Sequence, residues 1–588
     1  MEYQNTGLKS QMQQEIQNYL SRTVAISDNY DFSQYKLIKR ISQFESRTFP
    51  TGKIDSQGNY KFFYDIIGPR IDNEVKNIDF DSKDIQIYSP RKNDTLASII
   101  ANLKLDEYLK VTGQAEELNS AIEEGSGWGN VVWKKVKGGF ERCDMRNFYV
   151  INQTAKSLDE SPVIERHQFT QTELRSKKDI WKNVEETITG CKSDTYQSTV
   201  EVTSNDTTVP YYAIYERNGE VCVKDLNDYN NKESKETDKD KYTWAKVIGV
   251  GSKGSAGGVE IKHILFAEEL PNVTNSDIYK EFHRGAYKGR WWREGLYELL
   301  FDVQVRANQI GNQIAQGLEF ASKIIFVTED KLIIQNILTD LKNGDIIKAR
   351  NLSHVSVRMD GFDQLANDWN RIISLANSIA NSQEVTTGES MPSGTPFRLG
   401  SMLNQNANKL YNFIREKLAI PLSQIFELWI VPELIKDLKT QEILRLTGDS
   451  DLLDRLYEVV AKDWYLNNLI AIGPHDKAMA EQLIADQITE LKSRPEFLME
   501  GTKKLFDGYK ANVFVDITGE SLSLDVDLQT LSTFVALEMD PVRRTAIIEQ
   551  MMKMKGIDVG SMPKTQPQPI KPAQPMVGQV KQPLQVTQ

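Results

Sequence analysis

Cysteine and histidine are scarce in this sequence. Its three cysteines, Cys143, Cys191 and Cys222, are scattered through 588 residues. That spacing excludes a disulfide framework and a thiolate zinc site, and it fits a reducing compartment. The five histidines, His167, His263, His283, His354 and His475, stand apart, and there is no HExxH motif. No GxSxG elbow occurs, and no Cys–His constellation can be assembled from local sequence. Nothing here points to catalytic residues, a cofactor or a resident metal. Long apolar runs are also missing, which predicts no transmembrane helix. The first residues, MEYQNTGLKSQMQQEIQNYL, are polar and amphipathic and lack the apolar stretch of a secretory leader.

Basic residues fall short of acidic ones, 71 against 82, for a formal charge of −11. Such a chain has no global attraction for nucleic acid. It would suit DNA only as a conduit through which the polymer passes without sticking. Hydrophobic residues make up 40% and charged residues 26%, the balance of a globular chain with sizeable cores. The length suggests about three or four domain-sized units.

The chain organises around Arg293–Thr395. A first helical pattern, REGLYELLFDVQVRANQIGNQIAQGLEF, carries apolar or small residues at Leu296, Leu300, Val303, Ala307, Ile310, Ile314 and Gly317. A second, FDQLANDWNRIISLANSIANSQ, repeats the spacing at Leu365, Trp369, Ile372, Ala376 and Ile379. Steps of three and four residues predict helices that pack lengthwise on other helices, each roughly 30–40 Å long. The polar face of the first is rich in amides (Asn308, Gln309, Asn312, Gln313, Gln316) and short of lysine. About 40 residues separate the two helices, far more than an ordinary helix–helix connection.

Residues 1–285 read as α+β. Helices are predicted over 8–22, within 30–50 and over Thr95–Glu124, where EGSGWGN breaks the pattern. Short strands are predicted at Asn59–Ile67 and Ile85–Ser89. A hairpin is predicted around Lys137-Gly138-Gly139, with further strands at Phe148–Ile151 and Val163–Phe169. Thr170 is placed to cap a short helix. A second hairpin is predicted at Asn218-Gly219, then a solvated mixed-charge loop, then strands at Trp244–Val250 and Val259–Phe266. After the central stretch, Phe397–Leu418 forms a third helical pattern, which Pro421 is expected to interrupt. Residues 441–510 read as mostly helical, Ala511–Ile517 as a strand, and 528–538 and 541–555 as helices. From Ser561 the Pro/Gln-rich composition predicts a disordered tail.

Gly249–Gly254 matches GxGxxG, but strands flank it on both sides and Ser255 stands where a Walker lysine is needed. It therefore reads as a glycine-rich hairpin loop without nucleotide chemistry. Arg284–Arg293 (RGAYKGRWWR) is a compact basic-aromatic cluster. Such a cluster can stack on a polymer, but the favoured reading is that Trp291 and Trp292 anchor the first long helix in core. Glu294, Glu298 and Asp302 recur every four residues and predict an acidic stripe. Repeated around a ring, that stripe would repel duplex DNA from the walls. The segment VTTGESMPSGTP joins two helical patterns. Its Gly388, Gly394, Pro392 and Pro396 forbid a continuous helix.

The order of these parts resembles that of the portal proteins of tailed double-stranded DNA bacteriophages. The segments RWWREGLYELLFDVQVRANQIGNQ and TGESMPSGTPFRLG carry the resemblance most specifically, within 290–440. The resemblance implies an α+β, helix-rich portal architecture. Residues 1–285 would be the wing, 286–320 the first stem helix, 321–361 an α/β clip and 362–384 the second stem helix. A channel loop would span 385–396, offering Thr386, Thr387, Gly388, Glu389, Ser390, Met391, Pro392, Ser393, Gly394 and Thr395 to DNA. Residues 397–440 would be the long wing helix, 441–560 a helical crown-side region and 561–588 the tail.

The resemblance further implies a ring of identical subunits, usually twelve, at one capsid vertex of the virion, assembled in the host cytoplasm. It implies duplex DNA in the channel and partners in the large terminase subunit, the major capsid protein, scaffold and head-tail adaptor proteins. No enzymatic activity, cofactor or membrane belongs to that role. Another ring-forming virion adaptor or scaffold would suit the same parts. A nucleic-acid-processing enzyme would need a metal or phosphate constellation that this sequence does not present.

Overall fold

A computed structural model describes residues 6–54, 58–80, 84–89, 95–190, 211–233, 235–253, 258–322, 325–327, 353–355, 361–381, 409–437, 457–458, 460–462, 464–465, 477–493, 506, 509–515 and 517. The chain divides into two units, Met1–Gly519 and Glu520–Gln588, and all described residues belong to the first.

Helix α1 (Thr6–Ser21) buries Leu8, Met12, Ile16 and Tyr19, one residue per turn, against the larger sheet. A hairpin of β1 (Val24–Ser27) and β2 (Tyr30–Phe32) leads into α2 (Gln34–Glu45), where Ser33 accepts a hydrogen bond from the Lys36 amide. Then follow α3 (Gly68–Ile78), β3 (Ile85–Tyr88), α4 (Thr95–Thr112) and α5 (Gln114–Trp128). The helix expected over Thr95–Glu124 is thus two helices. Gly113, at φ +70°, turns the chain between them. The expected break at EGSGWGN comes later than composition suggests. Helix α5 runs on to Trp128 and ends at Gly129, whose φ of +85° is the left-handed cap that glycine adopts without penalty.

Two antiparallel sheets carry the α+β part. Strands β4 (Asn130–Val136) and β5 (Gly139–Arg142) form the expected hairpin, and β6 (Phe148–Val150) and β7 (Val163–Thr170) follow. Thr170 caps α6 (Gln171–Ser176) in a reciprocal box with Glu173. After α7 (Val184–Gly190), β8 (Tyr211–Cys222) runs straight through Asn218-Gly219, where a hairpin turn is expected; Gly219 stays paired with Ala245. The mixed-charge run contains α8 (Val223–Tyr229), whose Leu226 and Tyr229 are buried, rather than loop alone. Strands β9 (Tyr242–Lys253) and β10 (Val259–Glu269), helix α9 (Asn275–Ile278) and strand β11 (Tyr279–His283) complete the region. The sheets are ordered β10-β9-β8-β7-β6 and β11-β4-β5. Gly249 and Gly251 lie inside β9 itself, covered by Met12 and Tyr215. Among the described residues no helix begins there, so they offer no helix terminus to a phosphate.

The first long helix is expected to start at Arg293. It starts instead as α10 (Leu296–Leu299), breaks at Leu300, and resumes as α11 (Phe301–Ser322). Strands β12 (Ile325–Val327) and β13 (Ser353–Val355) pair antiparallel, and the remainder of the expected clip lies outside the described residues. The second long helix spans Phe362–Ile379 and packs on α11. Their core is Leu296, Leu300, Val303, Ala307 and Ile310 with Ile372 and Ala376, joined by Ile66, Ile67, Ile71 and Phe44. These are the positions the 3.5-residue seam predicts.

The helix Lys409–Lys436, of 28 residues, is long and apolar enough to cross a membrane, a segment the sequence pattern does not predict. Half of its most apolar stretch is buried, and Tyr411, Ile414, Leu418, Leu422 and Ile425 pack with α4, α5, β3 and β14 (Asn512–Val515). Pro421 does not interrupt it. The irregularity comes at Phe426–Ile430, a π-helical turn, after which the helix continues to Asp437. The helices expected at 528–538 and 541–555, and the tail, lie outside the described residues.

Candidate functional site

The basic-aromatic cluster is the anchor of the first long helix. Trp291 and Trp292 are fully buried, and the Trp291 indole donates to Glu281 at 2.7 Å. Arg284 makes a two-pronged pair with Glu74 at 2.7 and 2.8 Å, both side chains inside the protein. Arg290 stacks over Phe32 and donates to Glu298 at 2.8 Å. Arg293 lies over Tyr287. These arginines are committed to the fold and are not presented to a polyanion. Next to them, the Asn130 side chain clips the main chain of Arg293, accepting from its N–H at 2.9 Å and donating to its carbonyl at 3.1 Å. Gly129 and Gly295 meet there with no room between their backbones for a side chain.

The acidic stripe is dispersed by this anchor. Glu294 precedes the helix and pairs with Lys288 at 2.6 Å and Arg290 at 3.5 Å. Glu298 is mostly buried against Arg290; burial raises its pKa, and the arginine opposes that rise. Asp302 alone stands exposed on α11. Four-residue spacing puts carboxylates on one face only if the helix is unbroken, and here it begins after Glu294. The channel-loop residues Thr386, Thr387, Gly388, Glu389, Ser390, Met391, Pro392, Ser393, Gly394 and Thr395 lie outside the described residues.

The amides of α11 have a definite task. Gln304, Asn308 and Asn312, four residues apart, bind the main chain of the extended segment 62–67. Asn312 accepts from the Phe62 N–H at 2.8 Å and donates to its carbonyl at 2.9 Å. Asn308 accepts from Tyr64 N–H at 2.8 Å, and Gln304 accepts from Ile66 N–H at 2.9 Å while donating to the Tyr64 carbonyl. Four helical residues advance about 6.0 Å and two extended residues about 6.6–6.8 Å, so the two repeats nearly match. The strand expected at Asn59–Ile67 is therefore extended, but helical amides pair with it instead of a sheet.

A buried ion cluster joins the two sheets, and local sequence did not reveal it. Glu165 on β7 and Glu216 on β8 face each other directly. Lys134, reaching from β4 of the other sheet, bridges them at 2.8 and 2.9 Å, and Lys246 on β9 also meets Glu216 at 2.9 Å. Burial alone would raise both carboxyls, but His167 and Lys134 hold them below their usual range. The His167 Nε2 lies 3.5 Å from Glu165 and 3.7 Å from Glu216. Burial opposes its charge, yet the two carboxylates win and lift its pKa to about 9. The ligand atoms of Glu165, His167 and Glu216 fall within 4.8 Å of one another, as a metal would require. The lysine ammoniums already supply the cationic charge, so the donor set does not fit a metal. The E-x-H pattern on one strand face was the only local hint.

A group whose pKa rises on folding stabilises fully below its unfolded value, about 6.5 for histidine, and that contribution fades as pH rises to its folded value. His167→Gln is expected to cost about 1–3 kcal/mol at pH 6, discounted for its partial exposure. The deficit should shrink between pH 6.5 and 9, as thermal melting of both proteins across that range will register. An equal deficit at pH 6 and pH 10 would rule out the charged histidine.

A polar cleft of about 650 Å³ lies beside the anchor, with six carboxylates (Glu45, Asp65, Asp72, Glu123, Glu124, Asp144) and three arginines (Arg47, Arg142, Arg146) in its wall. Each arginine is paired to a carboxylate there. Burial raises Glu124 to about 7 in spite of Arg142.

In comparisons with models of known protein families and with curated proteins, the chain matches none.

Proposed function

We propose that this chain is a portal protein, forming a ring at one capsid vertex through which duplex DNA is packaged and ejected. The observation that carries this reading is the order and packing of parts in the centre of the chain. An α+β region anchors a long helix through buried tryptophans. A short antiparallel β pair follows, and a second long helix returns against the first. After the segment 382–408 comes a third helix, seated on the core of the α+β region. In this role the two paired helices are the stem, β12 and β13 belong to the clip, and Lys409–Asp437 is the wing helix. The clip would face the large terminase subunit during packaging and head-tail adaptor proteins afterwards, with the major capsid protein and scaffold around the ring.

The conduit reading draws its electrostatics from the overall charge of −11, because Arg290 and Lys288 compensate Glu294 and Glu298 within the subunit. Asp302 is the member of the stripe that could line a channel.

Electron microscopy of the purified protein, classified without imposed symmetry, tests the proposal. The expected result is a closed ring with a central hole of at least about 20 Å, the width that duplex DNA needs. A filament or an assembly without a hole would refute it. A second expectation concerns 387–395. Deleting these residues should leave rings intact while lowering the yield of DNA-filled heads severalfold. An unchanged yield would remove the loop from the mechanism.

A further inference from the structure

The amide face of α11 is only partly used by its own chain. Gln304, Asn308 and Asn312 hold the segment 62–67. One position further round the helix, Phe301, Val305, Gln309 and Gln313 form a parallel row with the same four-residue spacing. That row lines a groove of about 590 Å³, together with Phe49, Pro50 and Phe63. Gln309 and Gln313 are exposed, and neither makes a hydrogen bond among the described residues.

We propose that this groove binds an extended polypeptide segment of a partner protein, with an apolar side chain at every second position. The recognition chemistry argues for an extended chain. A helical partner would satisfy its own backbone and leave the glutamines unmet. An extended chain offers N–H and C=O groups every 6.6–6.8 Å or so, close to the roughly 6.0 Å repeat of Gln309 and Gln313. Its alternate side chains would enter the apolar wall of Phe49, Phe63, Phe301 and Val305. The same helix already reads an extended backbone this way on the adjacent row, and Phe63 belongs to both surfaces, so the groove continues an existing interface. Nucleic acid is disfavoured, because Lys61 is the only cationic side chain among the described residues of the lining.

The probe is a fluorescent peptide with the sequence NYKFFYDII, which is Asn59–Ile67, the extended stretch that α11 is seen to hold. Anisotropy titration against the full chain should give saturable binding. The double variant Gln309→Ala/Gln313→Ala should weaken it roughly tenfold or more, as the loss of two hydrogen bonds implies. Alanine favours the helix at both positions, so the variant should melt like the parent. The control Asp302→Asn, also on the exposed surface of α11, should bind the peptide unchanged. Absence of saturable binding up to millimolar peptide, or equal affinity in the double variant, would overturn the proposal. Self-association that the double variant abolishes, in sedimentation of the protein alone, would assign the groove to a second copy and overturn the partner assignment.

Discussion

Lys134→Met is expected to destabilise the α+β region by about 3–5 kcal/mol, the usual consequence of removing one member of a buried ion group. Glu165 and Glu216 are directly opposed across β7 and β8, and Lys134 bridges them with its side chain only 9% exposed. Without the ammonium, two carboxylates face each other in a site that water scarcely reaches. His167, at 3.5 and 3.7 Å from the two carboxylates, and Lys246 on Glu216 then remain as the only cations named in the cluster, and they compensate the pair in part. Urea denaturation followed by far-ultraviolet circular dichroism will measure the loss. Two controls make the cause specific. The triple variant Lys134→Met/Glu165→Gln/Glu216→Gln should recover most of the stability, because no uncompensated charge is then buried.

The second control is pH. Both carboxyls titrate below their usual range in the parent, so they contribute stability above about pH 4.5 and lose it as pH falls further. In Lys134→Met that gain should shrink. His167 still holds both carboxyls down, but burial and mutual repulsion are then less opposed, and mild acid should narrow the gap to the parent. A deficit that persists in the triple variant and at pH 4 would mean that packing, not charge, is responsible.

Gly295→Ala should be nearly as damaging, by about 1–3 kcal/mol or more. A Cβ there would fall on the Gly127 carbonyl oxygen, the Gly129 amide nitrogen and the Trp128 carbonyl carbon. All three are backbone atoms at the end of α5, which cannot rotate away as a side chain could. The Gly295 backbone is extended, at φ −102° and ψ −179°, so the cost is steric and not conformational. Relief requires the start of α10 to move away from α5, which also strains the two hydrogen bonds between Asn130 and Arg293. Thermal melting will measure the stability. If the chain forms rings, their diameter or closure should change as well, because this contact sets the direction in which the long helix leaves the α+β region. A variant that melts and assembles like the parent would show that the junction has slack.

Several elements were legible from spacing alone. The seam at Leu296, Leu300, Val303, Ala307 and Ile310 is buried as its period predicts, and so are Ile372 and Ala376 opposite. Alternation and turn residues placed β4, β5, β7, β9 and β10, and Thr170 caps as its position before Glu173 requires. Where the fold departs from the local pattern, a long-range contact overrides a local preference. Asn218-Gly219 is a strong turn signal, yet β8 continues because β7 and β9 pair with it on both sides. Pro421 is a helix breaker by rule, yet the helix passes through it with Leu418, Leu422 and Ile425 held in core.

Local sequence is enough to specify the mixed α+β class, the paired helices at the centre and the burial of Trp291 and Trp292. Each rests on periodicity or bulk, which are properties of neighbours along the chain. Folding in three dimensions is what lets Arg290 take up Glu294 and Glu298, Lys134 bridge Glu165 and Glu216, and the amides of α11 hold an extended segment some 240 residues earlier. Those arrangements pair groups from distant parts of the chain. Charge and hydrogen bonding depend on distance in space, and only the fold sets that distance.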